Sequence, residues 1–196
     1  MDFADVVARR RMVRSFADEP VERAVLERIA ATAQRTPSAG FSQGQRLVIV
    51  TDPERRRRLA EIALEAEYVE AGYGRWISNA PALFVPFVSE KVYRDRYDEP
   101  DKRPPGEEAI EWPVPYWFMD IGCTVMLILL AAVNEGLAAG FAGTADPSLL
   151  NADLRVPDDF VAVGVIPVGR PLPDKRSPSL KRGWRPLHDF ARWETW

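Results

Sequence analysis

Residues 36–50 read TPSAGFSQGQRLVIV. Small and polar residues give way within a few positions to the apolar run Leu47–Val50. That run is short, rich in β-branched residues and bounded by turn signals, so it predicts a strand over 47–51. Upstream, Val21, Val25, Ile29 and Ala33 recur at helical spacing behind Pro20, predicting a helix over 20–34. Downstream, Asp52-Pro53 pairs a capping residue with a proline suited to the first helical position. Leu59, Ile62, Ala63, Ala66 and Val69 give that next helix its apolar stripe. Helix, loop, strand and helix in succession place the chain among α/β or α+β folds. The loop itself is open to two readings. Gly40 and Gly44 permit close backbone approach, and Ser38, Ser42 and Gln43 offer polar side chains. It is either an ordinary turn or the wall of a binding site.

The same alternation continues on both sides. Asp2 can cap a helix over 3–12, and residues 82–88 (ALFVPFV) predict a second strand, with Pro86 suggesting an edge position or a bulge. Residues 90–113 are charged, proline-rich and tyrosine-bearing, with core-like segments on either side, which suits a lid or excursion with some helix at its start. A buried helix is expected over about 115–134, ending at Asn134-Glu135-Gly136. Residues 137–142 could form a strand, Asp146-Pro147 starts a short helix, and residues 160–168 predict the last strand. The tail, 169–196, ends FARWETW; so many aromatics argue against disorder and for packing against something, such as a partner subunit.

Composition narrows the classes. A chain of 196 residues with 46% apolar and 28% charged residues is expected to form one domain, 1–196. Its formal charge of −3 gives no reason to expect nucleic acid or an anionic membrane as partner. No leader pattern opens it, and the apolar run 121–133 is too short to span a bilayer, so a cytoplasmic setting is expected. One His and one Cys leave few ligands for a zinc-type metal site. Cys123, within IGCTVMLILL, is expected in the core, and Arg55–Arg58 on a solvated face. His188-Asp189 lacks a placed nucleophile, and neither a dinucleotide glycine fingerprint nor a Walker A sequence occurs.

RRRMVRSF, residues 9–16, carries the densest charge near the start. Arg10 and Arg14 share a face if the first helix runs that far, and Arg11 lies three before Arg14. Converging guanidinium groups can grip phosphate bidentately; alternatively they form a solvated basic helix end.

Taken together, these segments resemble the FMN-dependent nitroreductase family. VVARRRMVRSFADEPV is similar to that family's R-R-x-x-R-x-F opening, and RTPSAGFSQGQRLVIVTDPE to its P-S-x-x-N-x-Q-P-W-x-F loop and strand. YWFMDIGCTVMLILLAAVNEGLAAGFAG resembles its D-x-G helix and G-L segment, and VAVGVIPVGRP its late strand. The resemblance implies an α+β fold with a mixed sheet flanked by helices, in an intertwined homodimer with FMN at the interface. Arg10, Arg11 and Arg14 would reach the phosphate or ribityl region, joined by a tail cation from Lys181, Arg182 and Arg185. Pro37, Ser38, Ala39 and Gly40 would line the flavin, and Gln43 would meet its polar edge. Glu135, Gly136 and Leu137 would offer backbone contacts near the ring. No side-chain acid or base is implied, because the chemistry would be the flavin's, with NADH or NADPH as reductant. Phe41, Tyr93, Tyr97, Trp112 and Tyr116 would be available to a small aromatic, nitro or quinone-type acceptor beneath the 90–113 lid. That lid also resembles the one in flavin-destructase and iodotyrosine-deiodinase relatives, and a non-catalytic flavin-binding or storage protein would share the fold. Met12, Phe41 and Gly44-Gln45 depart from the family pattern, where serine, asparagine and Pro-Trp are usual, which leaves room for another acceptor or a deazaflavin donor.

Overall fold

In the computed structural model, which describes residues 1–196, the apolar run after the small-residue loop is the edge strand β1 (Gln45–Val50). It pairs antiparallel with β2 (Ala82–Val88), which pairs on its other side with β5 (Ile166–Gly169) and β4 (Val161–Ala162). β3 (Ala138–Ala139) closes the far edge against β5. These five strands pair antiparallel throughout, and Met12, outside them, adds an isolated parallel bridge to Ala139 that makes the sheet and its edge together mixed. The helices are α1 (Phe3–Arg9), α2 (Arg23–Ala33), α3 (Pro53–Ile62), α4 (Glu65–Glu70), α5 (Glu90–Tyr97), α6 (Tyr116–Asn134), α7 (Pro147–Leu154) and α8 (Leu187–Phe190). This is the expected α+β arrangement.

Every residue of β2 is buried, because both faces of the sheet are covered. Leu83, Val85 and Phe87 meet Leu59 of α3, Trp76 and Leu150 of α7. Ala82 and Phe84 meet Leu26 and Ile29 of α2 and Ile128 and Leu129 of α6. Pro86 therefore sits in a central strand, and of the two readings its chemistry allowed the bulge is the one found: Val85 and Pro86 face three residues, 163–165, between the pairs Phe84–Ile166 and Phe87–Ala162. Its carbonyl accepts from the Val163 amide at 3.0 Å, and its missing N–H falls where the partner changes from β5 to β4. That change also splits the expected strand 160–168 in two, around Gly164 with φ 143°.

Local signals held where they were strong. Asp52 accepts from the Arg55 amide at 2.8 Å with Pro53 at the start of α3, and Asp146 caps α7 through the Ser148 amide at 2.9 Å. Gly136, φ 75°, ends α6, and the Leu137 amide bonds back to the Ala132 carbonyl at 2.8 Å. Elsewhere long-range contacts prevailed. The helix expected from Asp52 onward breaks at Leu64, φ 58°, which re-aims Glu65. The Glu65 carboxylate accepts from the Ile77 amide, 2.7 Å, and from the Ser78 amide, 2.9 Å, and hydroxyl, 2.6 Å. Buried Arg56 donates to the Ser78 and Ala80 carbonyls of the same turn, so the Arg55–Arg58 run is not simply a solvated face. α2 starts at Arg23, three residues late, because the preceding chain is still leaving the pairing of Ala17 with Arg170.

α6 is 19 residues and, by length and composition alone, apolar enough to cross a membrane. Ile121, Thr124, Ile128, Leu129 and Ala132 are buried in the fold, while Phe118, Met119, Cys123 and Met126 are exposed. Cys123 is thus not a core residue. Beside this face, Phe3 and Val7 of α1 are also exposed.

Gly140, next to the edge strand β3, is one of the two tightest backbone approaches, with Gly164 the other. A Cβ on Gly140 would lie 2.5 Å from the Val13 carbonyl oxygen and 2.7 Å from the Trp76 ring. Backbone cannot yield as a flexible side chain can, so Gly140→Val is expected to cost about 3 kcal/mol in urea unfolding. Gly143→Ala, with nothing within 4 Å, should change stability by about 0.5 kcal/mol or less.

Candidate functional site

Two groups of residues stand out, and no hydrogen bond joins one to the other. The first is built on the arginine segment. α1 ends at Arg9, and Arg10 is already extended with φ −60° and ψ 121°. The helix cannot continue to residue 12, because the next residues pair with the sheet edge. The Val13 amide donates to Ala139 at 3.1 Å, and Leu172 donates back to Ser15 at 3.0 Å. Arg10 and Arg14 therefore do not share a helix face. They stand on an extended strand-like segment beside β3.

Asp174 organises this segment. Its carboxylate ion-pairs with Arg11 and accepts the Arg14 amide at 3.0 Å. Arg11 is thus already engaged, whereas the Arg10 and Arg14 side chains form no ion pair. The Arg14 guanidinium lies 5.0 Å from the Tyr73 ring centre and 5.7 Å from that of Trp76. Its Nε and the Trp76 Nε1 are buried donors without a partner. Unpaired buried donors beside a free guanidinium suit an anion that accepts from them. Lys175 reaches over Tyr73, 5.0 Å away, and donates to the Ala71 carbonyl at 2.7 Å. A small groove of about 200 Å³ brings Arg9, Arg11 and Val13 together with Gly136 and Leu137.

The Glu135 side chain is engaged elsewhere, which leaves untouched the backbone contact expected of it. Its carboxylate takes Arg28 at 2.7 Å, and that bond holds it below the usual carboxylate range. Arg182 and Arg185 are exposed and make no ion pair on their own chain. The phosphate-side expectation thus has Arg10 and Arg14 free, Arg11 shared with Asp174, and the tail cations outside the cluster.

The second group is the loop 37–44. It is not an ordinary turn: Gly40, Phe41 and Gln43 all take the left-handed conformation, with φ 61°, 55° and 53°. The Phe41 amide donates to Ser38 O at 2.8 Å and the Gln43 amide to Ser38 Oγ at 2.9 Å, while Ser42 Oγ donates to Ala39 O at 2.6 Å. Both serine hydroxyls thus hold the loop, Ser42 by donating and Ser38 by accepting, which leaves the Ser38 proton free. Pro37, Gln43 and Phe41 are exposed, Phe41 by 73%. Ser42 and Gln43 line a groove of about 850 Å³ with Gln34 and Thr36 after α2, Arg46 and Thr124. That volume falls in the range of small-molecule and cofactor sites.

Helix α5, which opens the segment 90–113, packs on this loop. A Cβ on Gly40 would lie 2.6 Å from the Tyr97 ring, and one on Gly44 2.6 Å from the Tyr93 ring, so both glycines are needed for closeness. Tyr93 is fully buried and its hydroxyl donates to Asp120 at 2.8 Å, which removes it from any surface that an acceptor could touch. Burial, reinforced by Asp120, holds its phenol protonated far above the usual range. Trp112 stacks edge-on to Tyr97 at 4.7 Å and to Tyr116 at 6.0 Å. Tyr97, Trp112 and the exposed Tyr116 keep an outward surface.

Asp120, Asp174 and Arg96 shape these groups and were not foreseen. Asp120 had a faint signal, being the one charged residue in α6. Asp174 and Arg96 had none, since each acts through a partner far away in sequence.

With this geometry in hand, comparison with known proteins is direct. The model of the nitroreductase family matches residues 7–170. Among curated relatives, an iodotyrosine deiodinase of Nematostella vectensis is 24% identical across 96% of this chain and 74% of its own. A 5,6-dimethylbenzimidazole synthase of Rhodospirillum rubrum is 28% identical across 90% of this chain and 85% of its own. Among solved structures, a nitroreductase of Exiguobacterium sibiricum in complex with FMN superposes with a TM-score of 0.77 at 17% identity, covering 99% of this chain and 98% of that one. A match over most of the length, joined to the α+β sheet and its helices, leaves one conclusion: the chain belongs to the nitroreductase family.

Proposed function

We propose that this protein is an FMN-dependent oxidoreductase that works as a homodimer, taking hydride or electrons from NADH or NADPH and passing them to a small aromatic, nitro or quinone-type acceptor. The observation that carries the reading is the division of the site. One chain offers a cationic half, with Arg10, Arg14 and two buried unpaired donors, and a separate loop half around Gln43. A two-fold copy can bring the cationic half of one subunit to the loop half of the other. The exposed apolar face of α1 and α6 and the exposed tail aromatics support such an assembly.

In this reading FMN, when bound, supplies the redox chemistry. Arg10 and Arg14 neutralise its phosphate, with help from Arg182 or Arg185 of the tail. Arg11 joins them only as far as Asp174 releases it. Met12 has no donor to offer, so backbone N–H groups serve there. The rigid loop presents the Gln43 amide to the polar edge of the ring, and Pro37, Ala39 and Gly40 shape its wall. Phe41, with Tyr97, Trp112 and Tyr116 at the lid, forms an apolar surface that excludes water from the acceptor. A cytoplasmic setting, where pyridine nucleotides are available, goes with this role.

A second reading, chemistry of the deiodinase or flavin-destructase type, is favoured by the long lid. The lid carries an aromatic cluster, and the similarity to the deiodinase and to the dimethylbenzimidazole synthase extends over nearly the whole chain.

The purified protein is expected to show flavin absorbance, or to take up FMN to one per chain. NADPH or NADH should bleach that absorbance in anaerobic stopped flow. Flavin that binds but is reduced by neither nucleotide would point to a flavin-storage protein or a deazaflavin donor. Failure to bind flavin at all would end the reading.

A further inference from the structure

We propose that Asp120 is a positioning residue that holds the site loop 39–43 and the lid helix α5 as one unit; its link to the cofactor rests on the flavin reading above. A single oxygen, Oδ2, accepts from the Ala39 amide at 2.9 Å and from the Tyr93 hydroxyl at 2.8 Å. Asp120 is the only charged residue of α6, so its placement there is not a matter of solvation. Ala39 opens the turn that leads into the left-handed residues Gly40, Phe41 and Gln43. Two of these are not glycine, and such conformations persist only where the surroundings over-determine them.

Most bonds that fix the loop are internal to it or come from neighbouring Arg46. From distant elements the Ser89 amide donates to the Gly44 carbonyl at 3.1 Å, and two charged side chains reach the turn itself. Asp120 of α6 takes the Ala39 amide, and Arg96 of α5 donates to the Gly40 carbonyl at 3.0 Å. Arg96 also takes Asp101 of the lid through two bonds, each 2.7 Å. The Tyr93 and Tyr97 rings seat α5 against Gly44 and Gly40. The lid helix and the loop are thus tied at both ends, with Asp120 as the anchor in the sheet-facing helix. Because Tyr93 stays protonated, its donation to Asp120 persists across working pH. The consequence is that the exposed side chains of Phe41 and Gln43 are aimed by α6 and by the lid, not by the loop alone.

Three variants test this on the full chain, by amide hydrogen exchange without FMN and by FMN titration. Asp120→Ala removes both bonds. It should speed exchange over residues 39–44 at least tenfold, leave residues 26–33 unchanged and weaken FMN binding at least tenfold. Asp120→Asn keeps an oxygen able to accept both donors, so it should stay within threefold of the parent on both measures, with an unaltered visible flavin spectrum. Unchanged exchange over 39–44 in Asp120→Ala, or an Asn variant as impaired as the Ala variant, overturns the proposal. Should Asp120→Ala fail to fold, Tyr93→Phe decides: exchange over 39–44 at least threefold faster supports it, and no change overturns it. If exchange responds as expected while the parent protein binds no FMN, the loop-holding role stands and only the flavin reading falls.

Discussion

Arg14→Glu is expected to weaken FMN binding by at least tenfold in a fluorescence titration. The guanidinium stands free of any acid, over Tyr73 and Trp76, with its Nε buried and unpaired. A charge-assisted hydrogen bond is worth about 1.5–3 kcal/mol, one to two powers of ten in affinity. Reversing the charge adds repulsion of about 1–4 kcal/mol at contact distance, depending on how well water screens it. Arg14→Lys keeps the charge but loses the planar fork, and it should fall between the two. Arg11→Ala should matter less than Arg14→Glu, because Asp174 already holds that guanidinium. The order matters as much as the size: an Arg11 variant worse than Arg14→Glu would move the phosphate to the other side of Asp174. Unchanged affinity in Arg14→Glu would remove the arginine segment from the cofactor site.

The features that sequence made legible are those decided within a few residues. The Asp-Pro caps of α3 and α7 and the glycine stop of α6 depend on local bonds, so their residue types announce them. The pattern of residues 36–50 likewise revealed the loop and β1. What stayed hidden depends on partners far along the chain. Arg9–Phe16 has a helical beginning, yet Ala139 and Pro171 draw its second half into the sheet. Pro86 reads as an edge or a bulge residue, and only the long-range pairing decides for the bulge, where β5 gives way to β4 in the centre of the sheet. The apolar surroundings of Cys123 suggested burial, because a sequence cannot say which side of a helix that is apolar around Cys123 meets the sheet. At the site, the motif alone singles out Gln43 and the arginines, and their role toward a cofactor belongs to the proposal above. The burial of Tyr93 was hidden because its ring fills the space over Gly44, and the ion pair of the Glu135 side chain because Arg28 lies 107 residues away.

Ending the chain at Arg176, so that 177–196 are lost, is expected to halve the mass in sedimentation equilibrium at micromolar concentration and to weaken FMN binding at least tenfold. Trp184, Trp193 and Trp196 are 93%, 90% and 101% exposed on their own chain, with Leu187 and Phe190 nearly as open. Water is a poor environment for so much apolar surface on one segment. Each aromatic can bury 150–250 Å², about 4–6 kcal/mol at 25 cal/mol per Å², and association consumes about 4–15 kcal/mol of the gross gain. Three tryptophans per tail are therefore about what decides between dimer and monomer. The truncation spares Asp174 and Lys175, so the arginine segment keeps its internal bonds. It does remove Lys181, Arg182 and Arg185, which separates two causes of flavin loss. Arg182→Ala with Arg185→Ala should weaken FMN and leave the dimer intact, because no apolar surface is lost. Trp184→Ala, Trp193→Ala and Trp196→Ala together should dissociate the dimer while keeping every cation. If the truncated and full chains have the same mass, the tail does not wrap a partner. If both are dimers, the exposed face of α1 and α6, with Phe3, Val7, Met119 and Met126, is left as the surface through which the subunits meet; if both are monomers, the proposed dimer falls.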